Sequence, residues 1–232
     1  MKKLILGVLA LSTLGAAALA APTIGGISGL IYMPTAESLR YKEFSIGVDT
    51  LWSGQQGNNQ QSVFYKANLG TFKGLELGFV GGSQPNEGVF LNAKYYLLSD
   101  ASRYPLGIAL GVANLSSSSL SNIYMVASKR FPQSFDGHLG FQATFPTNQV
   151  STSLLLGLEF FPTSLMSIAV DAAGEGTNYI LNTGFRINLS NSLALRIYGL
   201  NLFDGTPAGS TGAFLPSDPT LSVGMIWTDV IE

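Results

Sequence analysis

The sequence predicts an all-β protein: a transmembrane, antiparallel, up-and-down β-barrel of about 12 strands, within a range of roughly 10–14. Three observations carry that expectation. Apolar and polar residues alternate with a period of two through most of the chain, which is the repeat of an extended strand. Only 11% of residues are charged, against about a quarter in soluble proteins. Past Ala20, no run of residues approaches the ~20 apolar positions of a membrane-spanning helix. A chain this apolar must turn its surface into a core or toward lipid, and strands can do the latter only as a closed barrel. A soluble β-sandwich would alternate too, but its solvent face would carry more charge.

The elements follow in order. Lys2 and Lys3 precede an apolar stretch from Leu4 to Leu19, and Ala18-Leu19-Ala20 places small residues at the −3 and −1 positions of a cleavage site. Residues 1–20 therefore read as a secretory signal peptide. Residues 21–42 read as an N-terminal periplasmic segment or lid, and 43–232 as the barrel. There is no cysteine, so neither a lipid anchor nor a disulfide framework is expected. The net charge of −2 suggests no nucleic-acid partner.

Twelve stretches alternate: 43–53, 61–72, 74–82, 88–99, 105–115, 121–131, 137–146, 151–161, 165–173, 178–189, 192–202 and 220–229. In the first, Phe44, Ile46, Val48 and Trp52 oppose Ser45, Gly47 and Asp49. In the eighth, Leu154, Leu156, Leu158 and Phe160 oppose Gly157 and Glu159. The stretch 121–131 is the least regular, with Ile123, Met125 and Ala127 as its outward set. The prolines fall at strand ends or in loops, where a missing N–H costs least. With both termini in the periplasm, the odd connections face outside. They are rich in Gly, Ser and Asn, and the longest is Phe203–Pro219. Phe44, Trp52, Phe145, Phe160, Tyr179 and Trp227 are placed to form interfacial girdles, Trp227 serving as the terminal aromatic ahead of a short tail.

The face opposite the hydrocarbon carries the strand charges. By parity Asp49, Lys66, Glu76, Lys94, Glu159, Asp171, Arg186 and Arg196 line the lumen, as does the sole histidine, His138. With four acids and four bases, two readings follow. Either the charges neutralise one another as structural ion pairs, or they form a polar constriction that selects small solutes. No single-sign ring is present.

Catalysis and metal binding find little support. A barrel hydrolase needs a histidine beside an exposed nucleophilic serine and a group that orients the ring. The surroundings Asp136-Gly137-His138-Leu139-Gly140 match no such signature. One histidine, no cysteine and scattered carboxylates make a poor metal set. Gly78-Phe79-Val80-Gly81-Gly82 is a strand end, not a phosphate loop. No cofactor is expected, and the protein is expected not to be an enzyme.

Between the leader and the first strand lies Ile27-Ser28-Gly29-Leu30-Ile31-Tyr32-Met33-Pro34-Thr35-Ala36-Glu37-Ser38. Pro34 fixes a bend, and Thr35 offers a hydroxyl to cap a turn. The Gly-Leu-Ile-x-x-Pro-Thr-Ala-Glu pattern, with Gly29, Pro34, Thr35, Ala36 and Glu37, resembles the start of outer-membrane barrels linked to exopolysaccharide production. That resemblance covers about a dozen residues and implies an outer-membrane position with a part in polysaccharide secretion. The chain has no lipobox cysteine and is shorter than the larger members. The segment is expected either to fold into the periplasmic mouth as a plug or partner contact, or to lie there as a lid over lumen-facing polar groups.

Together these readings give a non-enzymatic outer-membrane barrel of a diderm bacterium, with an envelope-structural or polysaccharide-export-accessory role. The alternative is a narrow, porin-like passive channel. Expected partners are outer-membrane lipid, the barrel-assembly machinery, and either small solutes or polysaccharide.

Overall fold

The computed structural model describes residues 20–55, 58–83, 88–98, 106–118, 120–132, 134–146, 149–175, 178–203 and 218–231. The expected leader up to Leu19 and most of the Phe203–Pro219 connection lie outside the described residues.

Twelve strands follow one another: β1 (Glu43–Gln55), β2 (Asn58–Phe72), β3 (Leu75–Gly82), β4 (Phe90–Leu98), β5 (Gly107–Ala113), β6 (Asn122–Phe131), β7 (Phe135–Thr144), β8 (Ser151–Thr163), β9 (Met166–Glu175), β10 (Asn178–Asn188), β11 (Leu193–Leu200) and β12 (Thr220–Val230). Each pairs antiparallel with the next, and β12 closes on β1, with Ile46 opposite Trp227 and Asp49 opposite Gly224. The result is a closed up-and-down barrel, and no helix occurs among the described residues. Closure removes the unpaired sheet edges that would otherwise seek another strand.

Period-two alternation becomes inside and outside. Ile46, Val48, Leu77, Leu91, Leu110, Met125, Leu139, Leu156, Leu158, Leu221 and Met225 are exposed on the outer wall. In water such a band would be a far larger apolar patch than soluble proteins tolerate. Against hydrocarbon it is the favourable surface, because each strand's N–H and C=O groups are bonded within the wall. Trp52, Phe145, Phe160 and Trp227 are exposed near strand ends. Trp227 meets Phe44 edge-on at 5.2 Å, across the seam where the barrel closes.

The strands end close to where the alternation ends, and the differences have local causes. β5 spans Gly107–Ala113 rather than 105–115, because Asn114 turns into the left-handed region at φ 56. β11 stops at Leu200 rather than 202: Asn201 takes φ 50, and its N–H is captured by the Asn182 side chain at 3.0 Å. β8 runs on to Thr163 through a register shift after Phe160, which accommodates Pro162. The irregular stretch 121–131 forms β6, with Ile123 and Met125 exposed on the outer face.

The inside is packed. Residues 20–42 are not a strand of the wall; they run within it. Ile24, Leu30 and Ile31 are buried in one cluster with Leu51, Phe64, Val80, Phe90, Tyr198 and Leu200. Ile27, Met33 and Ala36 are buried in another with Ala109, Tyr124, Val126 and Leu155. This outside-lipid, inside-filled arrangement predicts a clear asymmetry. Leu156→Arg, mid-strand on the outer wall, is expected to destabilise the barrel by roughly 2–4 kcal/mol, read by guanidinium titration of protein folded into lipid vesicles.

Candidate functional site: the lumen and the segment that fills it

The path of residues 20–42 is set by turns and close approaches. From Pro22 the chain passes to Ile24, near the ends of β1–β4 farthest from the termini, and then comes back. Antiparallel bridges Pro22–Ser28 and Gly29–Pro34 hold the two arms together. Thr23 N–H donates to Ile27 O at 2.6 Å, Ile24 N–H to Ile31 O at 2.8 Å and Leu30 N–H to Met33 O at 2.9 Å. Gly26 sits in the turn at φ +91, where a side chain is disfavoured. Gly29 is required by crowding: a Cβ there would stand 2.2 Å from Met33 O. The returning arm leaves at the end where β1 begins, and Lys42, at φ 67, turns it into the wall.

A folded segment inside a barrel has backbone N–H and C=O groups that no sheet satisfies, and each one buried without a partner costs free energy. The lumen's charged side chains satisfy them. Asp171 Oδ2 accepts three successive backbone N–H groups, from Ile31 at 3.0 Å, Tyr32 at 2.7 Å and Met33 at 2.8 Å. This is a backbone nest around an anion, with the anion supplied by the wall. The other Asp171 oxygen accepts from Asn182 at 2.8 Å. Glu76 accepts from Ser28 N–H at 3.1 Å, Ser28 Oγ at 2.7 Å and Leu39 N–H at 3.0 Å. Lys66 Nζ donates to Thr23 O at 2.6 Å and Ile24 O at 3.1 Å. Lys94 Nζ donates to Ser28 O at 2.9 Å and also to Glu37 O. Arg196 donates to Pro22 O, Asn92 to Gly25 O at 3.1 Å, and Ala36 N–H to Ser128 Oγ at 2.8 Å.

The same charges also pair with one another. Asp49 lies between Lys66 and Arg196, the Lys66 contact being 2.5 Å, with all three side chains fully buried. Glu76 meets Lys94 at 3.7 Å, and Glu159 meets Arg186 at 2.9 Å. Asp171 has no ion pair among the described residues; its partners are the segment and Asn182.

Each residue expected to line the lumen lies inside the wall and is buried: Asp49, Lys66, Glu76, Lys94, His138, Glu159, Asp171, Arg186 and Arg196. The structure gathers them around the N-terminal segment rather than an open channel. Of the motif residues, Gly29 and Pro34 shape the turn, while Thr35, Ala36 and Glu37 are held by their backbone groups. Sequence reasoning missed Asp136, whose pair with Arg130 is 3.2 Å, because β7 begins at Phe135 instead of 137. It also missed Ser128, which parity on the irregular β6 could have found.

His138 Nδ1 is 2.8 Å from Ser128 Oγ, a serine–histidine contact. Ser128 Oγ also accepts the Ala36 N–H at 2.8 Å, and His138 Nε2 has no hydrogen-bond partner among the described residues. The serine is buried beneath the segment, and no carboxylate hydrogen-bonds the ring among the described residues. The pair acts as a clamp on Ala36 in this arrangement.

A closed, twelve-stranded antiparallel wall with an apolar outer face defines a transmembrane β-barrel fold. No family model matches the chain, and no curated protein matches its sequence. Among solved structures it is similar to the KdgM porin, with 14% identity and a TM-score of 0.56 over 79% of this chain and 98% of that one. It is also similar to the NanC porin, with 10% identity and a TM-score of 0.56 over 81% of this chain and 100% of that one. An outer membrane channel from Pseudomonas putida F1 aligns with 11% identity and a TM-score of 0.53, over 84% of this chain and 98% of that one. One of the similar structures is a KdgM porin in complex with disordered oligogalacturonate. At these identities the likeness is one of fold.

Two substitutions test the anchoring. Asp171→Ala strips three backbone N–H groups of a charged acceptor and is expected to cost about 3 kcal/mol or more in chemical denaturation. Asp49→Asn leaves Lys66 and Arg196 buried without their counter-charge, with an expected loss of about 3–5 kcal/mol in the same measurement.

Proposed function

We propose that this chain is a non-enzymatic, porin-like outer-membrane barrel whose lumen is held shut by residues 20–42, and that it conducts small polar solutes only when that segment shifts. The observation that carries this reading is the triple backbone capture by Asp171, together with the Glu76, Lys66 and Lys94 contacts. The lumen charges hold a polar, uncharged backbone, so they form a surface able to bind hydroxyl- and amide-bearing groups. Once the segment moves, both charge signs line the passage, which suits neutral solutes such as short saccharides better than either class of ion. The similarity of the wall to porins and channels supports the channel class. The outer-membrane position is supported by that same similarity and by the exposed hydrocarbon band.

A second reading stays in play because the lumen is filled: an envelope-structural or polysaccharide-export-accessory barrel, partnered by lipid, for which the Gly29–Glu37 motif is the supporting feature. Planar-bilayer recording of the mature protein separates the two. The gated-channel reading expects rare, brief, discrete openings of the wild type, at least tenfold more frequent openings in Asp171→Ala, and steady conductance when residues 22–38 are deleted. A deletion variant that inserts with full strand content and stays silent would rule the channel out and leave the envelope reading.

A further inference from the structure

Asp49 has Lys66 and Arg196, Asp136 has Arg130, and Glu159 has Arg186. Glu76 and Glu37 share the field of Lys94. That leaves Glu37 and Asp171 without an ion pair of their own among the described residues, in an interior where an uncompensated carboxylate is costly.

A small inner cavity of about 20 Å³ is lined by Glu37, Asp136, Glu159 and Arg186, together with Ala20, Ala21, Gly29 and Thr35. Ala20 and Ala21 are the two residues that flank the cleavage point read from Ala18-Leu19-Ala20. Ala21 is only 5% exposed, and its carbonyl is fixed by the Gly29 N–H at 2.8 Å. Ala21 therefore lines the same cavity as three acidic residues and one arginine.

We propose that this cavity is the binding site for the protein's own mature N-terminus: cleavage after Ala20 creates the Ala21 α-ammonium, which seats among Glu37, Asp136 and Glu159 and locks the segment in the lumen. Hydrolysis of the Ala20–Ala21 peptide bond consumes one water, leaves a carboxylate on Ala20 and gives Ala21 an amine that is protonated at neutral pH. The new cation supplies a counter-charge beside Glu37, which has no ion pair of its own among the described residues. An uncleaved chain has a neutral peptide nitrogen at that point and lacks the charge. Removing the leader is then a step in closing the barrel as well as in releasing it from the export route. This rests on residues 20–42 filling the lumen and is independent of whether the lumen ever opens.

The groups facing the ammonium are Glu37 from the segment, Asp136 from β7, Glu159 from β8 and Arg186 from β10. Arg130 from β6 is engaged with Asp136, with His138 near that carboxylate and Lys94 from β4 near Glu37. An ammonium stabilised by this set titrates higher when folded than when unfolded. Its contribution is complete below the free-amine value of about 7.7–8.0 and is lost as pH rises through the higher folded value.

The test uses protein secreted to the outer membrane and purified from it, with the N-terminus read by intact mass and sequencing, which is expected to begin at Ala21. The same mature chain is then prepared with a free and an Nα-acetylated terminus, in wild-type and Glu37→Gln backgrounds, and melted in detergent across pH 6–10. Acetylation is expected to lower the melting temperature by several degrees at pH 7 and to abolish the part of the alkaline decline that the free-amine protein shows. Acetylation is also expected to add little once Glu37 is Gln. A mature chain that begins elsewhere would overturn the proposal, as would free and acetylated proteins with the same melting temperature and pH profile.

Discussion

A charge taken out of water needs a partner, and a backbone taken out of water needs one too; the interior of this barrel meets both needs with one set of contacts. Lys66, Lys94 and Arg196 donate to carbonyls of the N-terminal segment, while Asp171 and Glu76 accept its N–H groups. Each side leaves groups of the other without partners when it is taken away. An empty lumen would leave Asp171 with Asn182 as its one partner among the described residues, and a free segment would expose Ile24, Ile31 and Met33, all wholly buried here. The apolar half of the segment supplies the non-directional attraction, and the charged half of the wall fixes its register.

The wall and the lumen follow opposite rules. Outside, Leu, Val and Phe meet hydrocarbon, and any apolar residue of suitable size serves. Inside, positions are specific. Gly70 lies where a Cβ would be 1.8 Å from Arg40 O, and at Gly157 a Cβ would be 2.5 Å from Leu30 Cδ1. Such glycines clear a track for the segment; they do more than relieve crowding in a narrow barrel. The proposed function rests on this inner surface, because the wall is shared with proteins that resemble this one in little but fold.

Much of the wall was legible in the sequence. Alternation in a low-charge chain locates the strands, and parity assigns Asp49, Glu76, Asp171 and Arg196 to the inside, because a one-residue slip would put a charge into lipid. The filling was less legible. Residues 21–42 have no helix or strand period, and nothing in Ile31-Tyr32-Met33 says that its N–H groups point at a carboxylate well over a hundred residues later. Strand ends were also blurred where a left-handed residue such as Asn201 stops a ladder, or where Asp136 falls just inside a strand expected to start after it.

The most direct test of the central claim is amide hydrogen exchange of the wild-type mature protein in lipid nanodiscs, read at Ile31, Tyr32 and Met33. If the lumen charges hold the segment as described, these three amides exchange as slowly as those of β8 and β9 around them. Exchange at the rate of an open, solvated chain, with the strands still protected, would mean that the segment does not fill the lumen, and the account would fail.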